Sequence, residues 1–297
     1  MEESSTIPDE IAQFVDELRR QDVAHKTLVN YRSDLLQVQR WFEGSRGESF
    51  FAAAVTPTDL RDYRSHLMTV EGKKPATVNR RLAALRKFFG WAKGVGLIID
   101  RPTDAIRGVE ESPRSPKSLD RREADRLLRE TEREGNKRDI AILETLRHTG
   151  LRVGELTALT VRDISISERK GSVTVRSGKG SKYRVVPLNL DARRALELYL
   201  AVRPRVSAEQ VFISQRGEGI KAQAVENIVK KYARRAGLEG VSPHTLRHTF
   251  GKSALDAGVD IVTVAALMGH DSVETTAIYT HPSARDLEQA VEKLASD

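Results

Sequence analysis

Leu267-Met268-Gly269-His270-Asp271-Ser272-Val273-Glu274-Thr275-Thr276-Ala277-Ile278-Tyr279-Thr280-His281 is the stretch around which the chain is organised. Val262, Val264 and Leu267 predict an apolar helix leading into it, and Gly269 suits the left-handed residue that ends such a helix. Asp271 or Ser272 can cap a second helix, with Glu274 or Thr275 completing a partial capping box. Tyr279 falls at the far end of that helix, and Pro282 limits its continuation. A tyrosine held at a helix end near a histidine can reach a group outside its own core. It can equally be an amphipathic packing residue, so the upstream chain must decide.

Upstream, Ser242-Pro243 marks a helix start, and His244 and Arg247 follow at i, i+3 on one face. A histidine and an arginine together near a helix N-terminus suit an anion clamp. Leu246 and Phe250 define a different, buried face, and His248 is expected to be structural. Thr149-Gly150-Leu151-Arg152-Val153-Gly154-Glu155-Leu156 reads as a tight turn into a helix. Arg152 can aim its planar fork at a phosphate there, and Glu155 can steady that fork from one turn away. The same pair also fits an ordinary ion pair on a helix surface. Gly178-Lys179-Gly180 forms a hairpin tip whose glycines allow Lys179 to reach a ligand, or to remain a solvated turn lysine.

No His-Glu-x-x-His, Walker loop or dinucleotide fingerprint is present, and no acidic cluster has metal-ligand spacing, so no metal or cofactor is expected. The candidate set is Arg152, Lys179, His244, Arg247, His270 and Tyr279, cationic with a single nucleophile. It fits attack on a phosphodiester. A phenol with a reference pKa of about 10 needs positive charge or a base to act as nucleophile. Arg152 and Arg247 would stabilise charge on the non-bridging oxygens. His244 would accept the tyrosine proton, His270 would donate a hydrogen bond, and Lys179 would protonate the departing 5′ oxygen. A phosphotyrosine conserves the bond energy, so rejoining would need no ATP.

The remaining chain fits that chemistry. At 297 residues with 39% hydrophobic content it can fold as two domains with real cores. It has no cysteine, which excludes disulfide scaffolds and cysteine zinc sites and agrees with a reducing compartment. The start Met1-Glu2-Glu3-Ser4-Ser5 shows no signal-peptide pattern, and no apolar run approaches the roughly 20 residues of a membrane span. A cytoplasmic protein is expected. The net charge is +7, and residues 1–110 are almost balanced, so most of the surplus lies downstream. A basic balance suggests nucleic acid.

Amphipathic periodicity predicts four helices in the first half, near 9–21, 26–43, 57–67 and 76–93, a bundle-type domain. Residues 107–118 carry two prolines and no apolar period, and read as a linker. Downstream, helices are expected near 120–133, 137–149, 191–202, 221–236, 244–257, 260–268 and 272–280. Strands at 172–176 and 183–187 should pair around the Lys179 turn. The fold class is therefore mainly α with a small antiparallel sheet in the C-terminal domain. Its expected limits are 1–106 for the helical domain, 107–118 for the linker and 119–297 for the catalytic domain.

Five segments together resemble the tyrosine recombinase (phage integrase) family, in particular its short Xer-like members. They are Thr-Gly-Leu-Arg152-Val-Gly-Glu155-Leu, Gly-Lys179-Gly-Ser-Lys-Tyr-Arg, His244-Thr-Leu-Arg247-His-Thr-Phe, Leu-Met-Gly-His270 and Thr-Thr-Ala-Ile-Tyr279-Thr-His. Each is weak alone, but in this order and spacing they are specific. Thr77-Val-Asn-Arg-Arg-Leu-Ala-Ala-Leu-Arg-Lys-Phe-Phe89 extends the resemblance into the first domain.

The resemblance implies a SAM-like core-binding domain and a catalytic domain that clamp DNA in a C shape. It implies a tetramer, of one protein or of two related recombinases, that exchanges strands through a Holliday junction. The 3′ phosphate would be joined to Tyr279. A last helix over 283–297, with Leu287, Val291 and Leu294 on one stripe, would dock on a neighbouring protomer or pack on its own domain. On this resemblance no counterpart is expected to the arm-binding domain of larger phage integrases or to the extra helix of integron integrases, and Met268 stands where leucine is usual. Dimer resolution, transposon mobility and phage integration all fit. Expected DNA contacts are Arg80, Arg81, Arg86 and Lys87 on the outer face of the fourth helix. Gln223, Asn227 and Lys230 are expected on the polar side of a later one.

Overall fold

The computed structural model describes residues 9–110, 117–176, 183–270 and 274–277. The chain divides into two compact units, Met1–Pro113 and Arg114–Asp297, and the division falls inside the polar stretch 107–118.

The first unit has four principal helices, α1 (Asp9–Arg20), α2 (His25–Arg46), α3 (Pro57–Thr69) and α4 (Pro75–Gly94). Thr56 caps α3 by accepting from the Asp59 N–H while Asp59 accepts from Thr56, and Pro57 occupies the first turn, where no N–H is needed. α2 runs past Gly44, which sequence alone places at its end, and stops at Gly47 with φ 70°. Short 3₁₀ turns at Ala52–Ala54 and Pro102–Ala105 were not expected; each is too brief to carry a period. Phe14, Phe88 and Trp91 pack ring against ring at the centre, with Phe42 and Phe50 beside them. Such pairs contribute on the order of 1 kcal/mol each beyond area burial.

The second unit begins with α5 (Arg121–Glu134) and α6 (Lys137–Thr149), capped by Asp120 and Asn136. A six-residue helix α7 (Val153–Ala158) follows. Next come strands β1 (Ile164–Ile166), β2 (Gly171–Arg176) and β3 (Tyr183–Pro187) in an antiparallel sheet of order β1-β2-β3. Val173 lies opposite both Ile164 and Val186, so the inward valines form one layer. β1, with only three residues, is too short to announce itself by alternation.

Then follow α8 (Leu190–Leu200), α9 (Ala222–Arg235), α10 (Pro243–Asp256), α11 (Ile261–Met268) and α12 (Glu274–Ala277). The core gathers Leu127, Ile142, Leu146, Leu151, Leu156, Val173, Leu196, Phe212, Val229 and Tyr232. The fold is thus mainly helical with a small antiparallel sheet. Among the described residues no helix is long and apolar enough to cross a membrane.

Candidate active site

The site assembles on one turn, the C-terminal end of α11. This helix buries Val264, Ala265 and Met268; Val262, expected on the apolar side, is 62% exposed. Gly269 ends it in the left-handed region, φ 65°, and the His270 N–H closes the turn onto the Ala265 carbonyl at 3.0 Å. The last carbonyls of a helix have no partner within it and carry partial negative charge.

Here three arginines from three separate elements supply donors to three consecutive carbonyls. Arg184 Nε on β3 donates to Leu267 O at 2.9 Å. Arg247 Nη2 on α10 donates to Met268 O at 2.8 Å. Arg152, at the start of α7, donates from both Nη1 and Nη2 to Gly269 O at 3.1 Å.

Each arginine is brought there by local chemistry. Gly150 terminates α6 with φ 62°, and the Phe250 ring sits where any Cβ would project. Leu151 is fully buried, while Arg152 beside it is exposed. Arg152 is the extended N-cap of α7 (φ −68°, ψ 147°), and its N–H donates to Glu155 Oε2 at 2.8 Å. Its guanidinium, about half exposed, also meets Glu155 Oε1 at 3.1 Å.

Ser242 caps α10 with Pro243 in the first turn, which sets the phase that puts His244 and Arg247 on one side. Arg247 is only 3% exposed and also donates to Gly150 O, tying α10 to the turn before Arg152. A charge this deeply buried must be hydrogen-bonded to be tolerated.

Glu155 is the anionic centre. Arg184 grips both its oxygens, Nη1 to Oε1 at 3.0 Å and Nη2 to Oε2 at 2.8 Å. Burial alone would raise the carboxyl, but the hydrogen bonds from Arg184 and from the Arg152 backbone outweigh it and keep its pKa below the usual range.

The histidines are pushed the other way. His244 is held below its ordinary pKa by desolvation first, then by the positive charges of Arg247 and Arg152. It is therefore neutral near pH 7 and able to accept a proton. Its ring meets His248 edge to face, centroids 4.1 Å apart. His248 is buried and brought down to about 4, by desolvation first, then by His244, Arg247 and His270. His270 Nδ1 lies 2.7 Å from Thr276 Oγ1, and Thr276 is fully buried.

Of the residues singled out in sequence, Arg152, Glu155, Arg247 and His270 meet around this turn, and His244 lies one helical turn from Arg247. Lys179, Tyr279, His281 and segment 283–297 lie outside the described residues. Arg184 and Thr276 were missed as contributors. The available signal for Arg184 was alternation: it shares an inward strand face with Val186, an unusual place for a charge without a partner.

The expected contact residues fall into two groups. On α9, Gln223, Asn227 and Lys230 are exposed along one face, with Gln223 Nε2 3.3 Å from Asn227 Oδ1 and Lys230 3.8 Å from Glu226. On α4, Lys87 and Arg86 are exposed; Arg86 donates to Ile106 O at 2.9 Å, and Arg80 pairs with Asp34. Arg81 is not on the outer face. It is 6% exposed, with Nη1 3.3 Å from Tyr63 Oη and 3.5 Å from Glu71. The apolar arc of α4, which includes Val78, Leu82, Ala84, Leu85, Phe88 and Phe89, is wide enough to cover the arginine at its edge.

Comparison with known proteins matches this architecture. The phage integrase family model covers residues 117–285, and its N-terminal SAM-like domain covers residues 11–95. The chain belongs to the phage integrase family. It is a tyrosine recombinase, an enzyme of site-specific DNA recombination.

Its relatives include tyrosine recombinase XerD of Ralstonia nicotianae, 35% identical over 91% of this chain and 89% of that protein. Another is tyrosine recombinase XerC of Thermodesulfovibrio yellowstonii, 35% identical over 95% of each chain. Among solved structures, XerA recombinase is 28% identical with a TM-score of 0.57, over 97% of this chain and 99% of that one. XerH recombinase in a post-cleavage complex with its difH substrate aligns with a TM-score of 0.78 at 22% identity, over 97% and 90% of the two chains, and shares the fold.

Proposed function

We propose that this recombinase cuts and rejoins double-stranded DNA through a covalent 3′-phosphotyrosine on Tyr279, passes through a Holliday junction, and uses neither metal nor ATP. The Tyr279 phenol oxygen attacks the scissile phosphorus while its proton passes to neutral His244. The bond from phosphorus to the 5′ oxygen breaks, and Lys179 protonates the departing hydroxyl. Arg152 and Arg247 hold the non-bridging oxygens, and His270 donates to one of them. Rejoining runs the same exchange backwards from a new 5′ hydroxyl, so no free energy need be supplied.

The observation that supports this most is that Arg152, Arg247 and His270 are fixed by one turn of α11, beside a histidine kept unprotonated. That arrangement suits an anion carrying developing charge. The unit over residues 1–106 and the α9 face with Gln223, Asn227 and Lys230 would bind duplex DNA, mainly through phosphates. Four protomers, identical or of two related kinds, would act together, with residues 283–297 as the docking helix. The enzyme would work in the cytoplasm, on the nucleoid.

Footprinting on DNA flanking the gene would locate the site, and a nicked suicide substrate built on it would trap the adduct. The expected result is a covalent protein–DNA species formed in EDTA and lost in Tyr279→Phe. Arg152→Ala and Arg247→Ala should each slow its formation by about 10²–10³-fold, the usual effect of removing one preorganised donor. No adduct, or an adduct that survives Tyr279→Phe, refutes the mechanism. Relaxation of supercoiled plasmid lacking the site would instead indicate topoisomerase activity.

A further inference from the structure

Arg184 holds a place that neither its strand nor its charge explains. It lies on edge strand β3, yet its side chain points inward and is only 18% exposed. All three guanidinium nitrogens are engaged: Nη1 and Nη2 on the two Glu155 oxygens, and Nε on Leu267 O. Two parallel bonds from a planar fork to a carboxylate fix distance and orientation together, which a lysine cannot do.

Glu155, so fixed, receives the Arg152 backbone N–H and its Nη1. Leu267 O, so fixed, begins the run of carbonyls that continues with Met268 O under Arg247 and Gly269 O under Arg152. The contact is tight: a Cβ on Gly269 would lie 2.5 Å from Arg184 Nη1. The two supports of the Arg152 guanidinium, Glu155 and the α11 turn, therefore share one brace.

We propose that Arg184 is a positioning residue of the recombinase, acting through Glu155 and the α11 turn to hold the Arg152 guanidinium where it meets the scissile phosphate. This rests on the phosphotyrosine mechanism proposed above. Arg184 touches no substrate atom in that scheme. Its effect is transmitted: without it Glu155 loses its bidentate partner, the Arg152 fork swings, and charge at phosphorus is less well matched. A small misplacement of an oriented group costs rate out of proportion to its size.

The test is single-turnover cleavage of the suicide substrate at saturating protein, with two forms of the scissile linkage. One is the ordinary phosphodiester. The other is a methylphosphonate, in which a methyl group replaces a non-bridging oxygen and removes its charge. A donor that works by offsetting that charge matters much less on the neutral linkage.

Arg152→Ala sets the reference, with a large loss on the phosphodiester and a small one on the methylphosphonate. Arg184→Ala should follow the same pattern, slowing phosphodiester cleavage by about 10–100-fold and methylphosphonate cleavage by less than about 3-fold, a fraction of the usual loss of one donor. Arg184→Lys keeps a charge near Leu267 O but cannot grip both Glu155 oxygens, so it should show the same selectivity with a milder loss.

Equal losses on both linkages would mean general structural damage and would overturn the proposal, as would wild-type phosphodiester rates in both variants. Should Arg184→Ala fail to fold, Arg184→Lys alone decides by the same ratio. Absence of any adduct in the wild type would instead refute the phosphotyrosine mechanism, a separate outcome.

Discussion

Gly269→Ala concentrates two measurable effects at one atom. The residue has φ 65°, where alanine suffers a clash between Cβ and backbone of about 1 kcal/mol. Its new methyl would also meet the Arg184 guanidinium at 2.5 Å. That guanidinium must move, and its bonds to Glu155 and Leu267 O are charge-assisted, so loosening them costs about 2 kcal/mol.

Gly258→Ala is the matched control, with φ 85° and nothing within 4 Å of a built Cβ, so only the backbone cost applies. The expected losses are therefore about 3 and about 1 kcal/mol. With a urea slope of about 2 kcal/mol per M, the midpoints fall by about 1.5 and about 0.5 M.

The protein supplies its own way to separate the two units. Both tryptophans, Trp41 and Trp91, lie in the first, so their fluorescence reports that unit alone, while far-UV circular dichroism reports both. The loss should appear in the dichroism transition and leave the tryptophan transition in place. Two glycine variants that shift the dichroism midpoint equally, within about 0.3 M, would show that the Arg184 contact stores nothing, against the expected value of a charge-assisted bond.

The buried histidine gives a pH effect. His248 has its pKa lowered to about 4, so the unfolded chain binds a proton there that the native chain does not. Stability should be full above the unfolded value of about 6.5 and fall as the pH drops towards 4, by about 2 kcal/mol between pH 7 and 5. Urea unfolding of His248→Asn should lose most of that slope; an unchanged slope would assign the effect elsewhere. In the first unit, Lys87→Ala should weaken DNA binding and reduce the salt slope by about 1, while leaving the tryptophan transition in place. Arg81→Ala should instead shift that transition, since Tyr63 and Glu71 lose a buried partner; the opposite pattern would restore Arg81 to the surface role.

The long helices were legible because their apolar periods are sustained: Leu28, Leu35, Val38 and Phe42 mark α2 without help from elsewhere. The types of residue in the site were legible too, because arginines and histidines beside glycine turns are chemically conspicuous. Their acceptors were not. Leu267 O, Met268 O and Gly269 O are peptide groups, and nothing in the identity of a residue shows that its carbonyl will be capped from another element.

Arg184 offered only the alternation of its strand as a signal, since its side-chain partner Glu155 is 29 residues away and already paired with Arg152. Arg81 illustrates the converse, a surface-type side chain covered by an unusually wide apolar helix face.

Anchoring by peptide oxygens carries an implication for how freely this protein can drift. A carbonyl survives replacement of the side chain beside it. Residues 267 and 268 can therefore exchange one apolar type for another, methionine for leucine included, while the moorings of three guanidiniums persist. Gly269 has no such latitude, because its torsion and its neighbour both forbid a side chain. Directed evolution of this enzyme should accordingly find tolerance at two positions of the turn and a hard wall at the third.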